Sequence, residues 1–217
     1  MVHADGVIID SRFNGPPDSA NGGVTCGLLA QATGLHEVTL RRPPPLGTEL
    51  QLSGGRLLDG EHLVAEAVAA TVDLVPPPAV SLAEAVAARA RFQGLTGHAF
   101  PTCFVCGPDR TDGLGLKPGP VGEQFVASDW TPADNDPVMV WAALDCPSGW
   151  SVILPGSPML LGRMSCRIDE LPAPGEAHVV QGWRVGGEGR KALTGSALYD
   201  ASGRVLAVAQ ATWIAIG

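Results

Sequence analysis

Two glycines, one aspartate and a pair of cysteines carry most of the chemistry this sequence offers. Gly22 and Gly23 close the stretch Phe13 to Gly23, "FNGPPDSANGG", and the apolar run "VTCGLLAQATG" follows directly. Prolines, glycines and asparagines at this density suit neither strand nor helix. A helix starting just after them has its first N–H groups unpaired and a partial positive charge at its end. Such a loop can aim backbone donors at an anion or at a developing oxyanion, and glycine lets a reacting group come close to the backbone. Asn21 either orients a substrate or a water through its amide or serves as a turn residue before the glycines; both roles stay open. Asp18 is a rival candidate acid beside this loop, though it is better placed to cap the helix that follows. Thr25 and Cys26, one turn in, are expected in the core.

The aspartate is Asp145, in "VMVWAALDCPSGWSVI", a second helix candidate with Asp136 as its cap and Pro137 at its first position. Pro147 cannot donate to the carbonyl of Ala143, so the helix is expected to kink or end there, beside the carboxylate. Cys146 and Ser148 flank Asp145, but neither has a histidine nearby in sequence to activate it as a nucleophile. The cysteine pair is Cys103-x-x-Cys106-Gly107, the shape of half a zinc site, with His98 five residues upstream. No second Cys-x-x-Cys exists to complete four ligands. Cys146 or Cys166 would have to be recruited from other elements, and no metal is expected.

The elements that must position these residues fall into two halves. With 45% hydrophobic and 17% charged residues in 217, the chain can bury a proper core. A net charge of −8 without a Lys/Arg cluster excludes a nucleic-acid partner; Arg41-Arg42 and Arg190-Lys191 could each meet one anionic group at most. The N-terminus lacks the basic start and apolar core of a signal peptide, and no apolar run is long enough to span a membrane. An odd count of five cysteines then points to reduced thiols in a cytoplasm. In the first half, a helix is followed by strands through "HEVTLRRPPPLGTELQLSGGRLLDGEHLVAEAVAATVDLV", with hairpin turns at Gly54-Gly55 and Asp59-Gly60. Pro76-Pro77-Pro78 stops any ladder, and "SLAEAVAARARF" opens with Ser81 and Glu84 in a capping box. The second half repeats the order: "EQFVASDW", the Asp145 helix, then "MLLGRMSCRIDEL", "EAHVVQGWRV", "KALTGSALYD" and "RVLAVAQATWIAI". "LRRPPPLGTELQL" parallels "CRIDELPAPGEAHVV", and "LLDGEHLVAEAVAATVDL" parallels "LYDASGRVLAVAQATWIAI". The boundaries expected are 1–78, a connecting helix in 79–97, and 98–217. All five tryptophans fall in the second half, as core or as walls of a pocket.

These residues resemble the hotdog-fold acyl-CoA thioesterase superfamily. Members of the phenylacetyl-CoA type carry an Asn, then His-Gly-Gly entering the central helix, then Leu-x-Asp. This chain has Asn14, Asn21-Gly22-Gly23 with asparagine in the histidine place, no acid in "LLAQAT", and "AALD" in the second helix. "CFVCGPDRTDGLGL" resembles the Cys-Phe-x-Cys-Gly…Gly-Leu-x-Leu opening of many hotdog proteins. The resemblance implies an α+β tandem (double) hotdog, two antiparallel sheets each wrapping a central helix, assembling as a homodimer. It also implies an acyl thioester substrate whose only cofactor-like part is its own coenzyme A. Asp145 would act as base or nucleophile, and the Gly22 and Gly23 amides would polarise the carbonyl, with Asn14 and Asn21 beside the substrate. Arg163, Arg184, Arg190 and Lys191 are candidates for the coenzyme A phosphates. The alternative is a non-catalytic binder of an acyl group or small ligand, favoured by the asparagine in the histidine position.

Overall fold

The computed structural model describes residues 2–3 and 6–216. The chain opens with β1 (Val2–His3) and β2 (Gly6–Ile8), and the turn-rich loop then leads into α1 (Gly22–Thr33). Four strands follow: β3 (Glu37–Leu40), β4 (Glu49–Ser53), β5 (Arg56–Asp59) and β6 (His62–Val68). The glycines of both expected hairpin turns, Gly54, Gly55 and Gly60, have positive φ, which only glycine adopts without strain.

After β6 the chain is irregular until α2 (Leu82–Ala88), where Ser81 and Glu84 exchange the two bonds of a capping box. This strap crosses the outer face of the second half. Tyr199 donates its hydroxyl proton to the Pro77 carbonyl, and Gln181 bridges the Pro78 carbonyl and the Val80 N–H. With α2, it closes a separate apolar cluster built on Trp183, Val179, Ala197, Tyr199 and Val208. A short helical turn, α3 (Gly94–Gly97), leads to the cysteine-bearing loop.

The second half contains β7 (Gly119–Val121), β8 (Phe125–Trp130), α4 (Pro137–Trp150), β9 (Met159–Ile168), β10 (His178–Glu188), β11 (Lys191–Tyr199) and β12 (Val205–Ala215). Among the described residues, the strands join one antiparallel sheet of 12, in the order β1-β2-β4-β5-β6-β3-β9-β12-β11-β10-β8-β7. From either edge inward the connection pattern is the same, and each half places its long helix between its second and third strand.

The expectation of two separate sheets is therefore corrected to one continuous sheet. The join is β3 on β9, with Val38 opposite Met164. Ser165 donates to Glu37, and Arg163 donates to Thr39, on either side of that pair. Left apart, β3 and β9 would each present an open ladder of N–H and C=O groups; pairing removes both edges.

The helices α1 and α4 cross closely and in opposite directions. A Cβ on Gly23 would stand 2.6 Å from the Asp145 Cβ, and one on Gly27 would stand 3.0 Å from the Val138 Cα. Glycines four apart thus form one flat face on which α4 rests. Apart from the half-buried Pro137 and Met139, α4 is buried throughout, between α1 and the sheet.

Of the kink or end expected at Pro147, the end does not occur: α4 carries the proline inside it and runs on to Trp150. Hydroxyls take over the carbonyls near the proline. Ser196 donates to the Leu144 carbonyl at 2.7 Å, and Ser148 donates to the Asp145 carbonyl at 2.8 Å. Gly182 of β10 leaves room for the Pro147 carbonyl, which would lie 2.1 Å from any Cβ there.

Candidate functional site

The loop before α1 ends in Asn21, whose backbone is extended and whose side chain accepts from the Val24 N–H. Asn21 is thus the N-cap, the role expected of Asp18, which is exposed on the loop. Asn21 does a second thing. Its amide donates to Asp145 Oδ2 at 3.0 Å, and the Gly23 N–H donates to the same oxygen at 3.0 Å. The close crossing of the helices thus lays the α4 carboxylate over the start of α1.

Asp145 is 2% exposed, and its Oδ1 has no hydrogen-bond partner among the described residues. Burial raises its pKa from 3.8 to about 7; the Gly23 and Asn21 bonds oppose this rise, and the negative charge on Cys103 adds to it. A carboxyl group poised near neutrality can take a proton and return it. The Gly23 amide, expected to face a substrate carbonyl, here donates to the Asp145 carboxylate. Gly22, the first helical residue, keeps an N–H with no acceptor among the described residues.

Asp145, Asn21 and Gly22 line a pocket of about 590 Å³. Its walls are mostly apolar, with Leu40, Trp150, Ile153, Leu160, Leu161 and Trp213 contributing. Of the five tryptophans, Trp150 and Trp213 reach this pocket, while the other three pack in the core clusters. Trp213 is oriented by donating from Nε1 to Ser148 Oγ at 2.9 Å, the same hydroxyl that holds the Asp145 carbonyl.

Asn14 does not line the pocket. Its side chain donates to Thr102 and accepts from Arg110, and its carbonyl accepts from the Phe104 N–H, so it ties the N-terminal loop to the cysteine loop. That loop folds on its own glycines. A Cβ at Gly107 would meet the Cys103 backbone at 2.6 Å, and one at Gly113 would meet the Phe104 carbonyl at 2.1 Å.

The cationic candidates are engaged elsewhere or away from the pocket. Arg163 pairs with Glu37 and Thr39, Arg184 donates to the Gly186 carbonyl, and Arg190 donates to the Ala215 carbonyl. Arg41 and Arg42 do line the pocket. Arg41 is paired with Glu66, and the exposed Arg42 has no side-chain partner among the described residues. The sequence marked this pair only as able to meet one anion.

The cysteine loop delivers what spacing alone could not show. Cys103, Cys106 and Cys146 of α4 bring their sulfurs within 4.8 Å of one another, all buried and all on the pocket wall. Hydrogen bonds from Cys106 and Cys146 hold the Cys103 thiol well below its ordinary value. Cys26 and Cys166 lie apart in the core as free thiols.

No protein-family model and no curated protein matches this sequence. Solved structures do match it over its full length. It is similar to the tesB protein of Mycobacterium avium subspecies paratuberculosis, with TM-score 0.62, 11% identity, and coverage of 100% of this chain and 95% of that one. It is similar to a thioesterase candidate from Novosphingobium aromaticivorans, with TM-score 0.63, 15% identity, and coverage of 100% and 98%. A thioesterase II candidate from Thermobifida fusca gives TM-score 0.63, 13% identity, and coverage of 98% and 92%. Identities this low establish architecture alone. The chain shares the overall fold of these three solved structures.

Proposed function

We propose that this chain is a double hotdog acyl-thioester hydrolase acting on an acyl-CoA-type substrate in the pocket between its two halves. In this reading residues 1–78 and 98–217 are the hotdog halves, and 79–97 connects them. The observation that carries it is the buried Asp145. One of its oxygens is fixed by Asn21 and Gly23, the other has no partner among the described residues, and the group lines a mostly apolar pocket together with Gly22, whose N–H has no acceptor among those residues.

The chemistry follows from that placement. Asp145 takes a proton from a water whose oxygen adds to the thioester carbonyl carbon. The oxyanion meets the Gly22 N–H and the positive end of α1. Collapse breaks the C–S bond, and the proton held by Asp145 passes to the departing thiolate. The products are a carboxylic acid and a thiol. Direct attack by the carboxylate would use the same oxygen and leave an anhydride for water to open. Arg42 at the pocket wall is suited to one phosphate of coenzyme A. Five free thiols favour a reducing, cytoplasmic setting, and the outer edge of β7 supports pairing of two copies.

A second reading, a binder that does not hydrolyse, is favoured by one observation: Asp145 itself occupies the Gly23 amide. Thiol release across a panel of acyl-CoA substrates separates the two. Turnover of at least one thioester supports the hydrolase. Thermal stabilisation by the same compounds without any thiol release would leave only the binder.

A further inference from the structure

Three cysteine sulfurs converge at one point in this chain, and they come from two elements 40 residues apart in sequence. Cys103 and Cys106 sit on the tight turn that Gly107 permits, and Cys146 projects from α4 against them, with the Cys103 and Cys146 sulfurs 3.9 Å apart. The three thiols are 4%, 2% and 6% exposed. Three sulfurs crowded this closely, with no disulfide between them, are the donor set of a soft cation.

The surrounding donors fit that charge. Trp150 directs its Nε1–H at Cys106 Sγ, 3.5 Å away, and Asn21 directs its amide at Cys103 Sγ, 3.9 Å away. His98 Nε2 lies 3.1 Å from Cys106 Sγ. The Phe100 N–H donates to His98 Nδ1 at 3.0 Å, so in the neutral ring the proton is on Nε2 and points at the sulfur. His98 therefore supports Cys106 as a donor instead of completing the ligand set.

We propose that Cys103, Cys106 and Cys146 form a three-thiolate site for one soft d¹⁰ divalent cation of the zinc class, with its fourth position facing the pocket. Each sulfur that still carries a proton releases it to solvent as its sulfur–metal bond forms. The cation joins the cysteine loop to α4 directly beside Asp145. Carboxylate- and water-preferring ions such as magnesium and calcium are disfavoured by an all-sulfur set. The site stands apart from the hydrolase reading, since it is measured on the resting protein without substrate.

The test is metal content after reduction, loading with zinc, and exhaustive buffer exchange of the full chain. One equivalent per chain is expected, and it should survive in Cys26→Ser and Cys166→Ser but be lost in Cys103→Ser, Cys106→Ser and Cys146→Ser. A parallel reading needs no substitution: X-ray absorption of the zinc-loaded wild type should show three sulfur neighbours at about 2.3 Å. Absence of bound zinc, fewer than three sulfurs, or equal retention in all five variants would overturn the site.

Discussion

Replacing Gly23 with alanine tests how Asp145 comes to lie over the start of α1. The added Cβ would stand 2.6 Å from the Asp145 Cβ, 2.9 Å from the Trp141 carbonyl oxygen and 3.0 Å from the Ala142 Cα. Ordinary contact begins at 3.4 Å, so the helices must separate by roughly 0.8 Å, and two of the three obstacles are backbone. Overpacking of this kind costs about 1–3 kcal/mol. The better helix propensity of alanine returns about 0.5–1 kcal/mol. Taking the middle of each range, the net loss is about 1.3 kcal/mol, which for a chain of this length lowers Tm by about 3–5 °C. The same separation stretches the 3.0 Å bond from the Gly23 N–H to Asp145, so thioester turnover should fall along with stability. Gly27→Ala is the comparison, because its Cβ meets α4 at 3.0 Å or more and lies one turn from the carboxylate. Urea denaturation and thermal melting of both variants supply the numbers. A Gly23→Ala protein as stable as wild type, or more stable than Gly27→Ala, would refute the close-crossing argument.

Two further substitutions probe the supports of the site. Ser148→Ala removes the hydroxyl that holds the Asp145 carbonyl and accepts from Trp213, leaving buried polar groups unpaired. It should cost about 1–3 kcal/mol in urea denaturation, whereas a neutral result would mean that α4 tolerates Pro147 without it. Arg42→Ala should raise KM for coenzyme A thioesters with little change in kcat, and the effect should shrink as salt rises. A fall in kcat at unchanged KM would remove Arg42 from phosphate binding.

Local signals in the sequence identified most elements, because each rests on neighbours in the chain. The Ser81–Glu84 capping box, the Asp136 cap with Pro137, and the glycine hairpins all appear where their residue types require them. "EHLVAEAVAATVDL" resolves into β6 as far as Val68 and then leaves the sheet, since the following strap bonds through Gln181 and Tyr199 on the far half. What the sequence hid was always a long-range partner. The β3–β9 join depends on residues more than 120 positions apart, such as Glu37 and Ser165. Pro147 reads as a helix breaker because what surrounds it is distant in sequence: Ser196 of β11 donates to the neighbouring Leu144 carbonyl, and Gly182 of β10 makes room for its own carbonyl.

The candidate site divides in the same way. Asp145 and the Gly22-Gly23 helix start could be paired from the two halves of a split motif, and the structure places them in contact through Gly23. Asn21 turns out to cap the helix and to hold the carboxylate at once, a double role that spacing does not reveal. Asn14 reads as a site residue but is spent on Thr102 and Arg110. Cys146 and Cys166 read alike as candidates to join Cys103 and Cys106, and the choice of Cys146 is visible only once α4 is packed against the loop.

In the proposed hydrolase Asp145 performs the proton transfer, and Asp145→Asn isolates that step. Asparagine keeps the size of the side chain and an oxygen that can accept from Asn21 and Gly23, while its amide cannot take a proton from water. Removing a positioned general base typically costs about 100- to 10,000-fold in rate. The variant should fold, melt no lower than wild type, and lose thiol release from the preferred acyl-CoA by about 100-fold or more. A folded Asp145→Asn protein with wild-type kcat would contradict it.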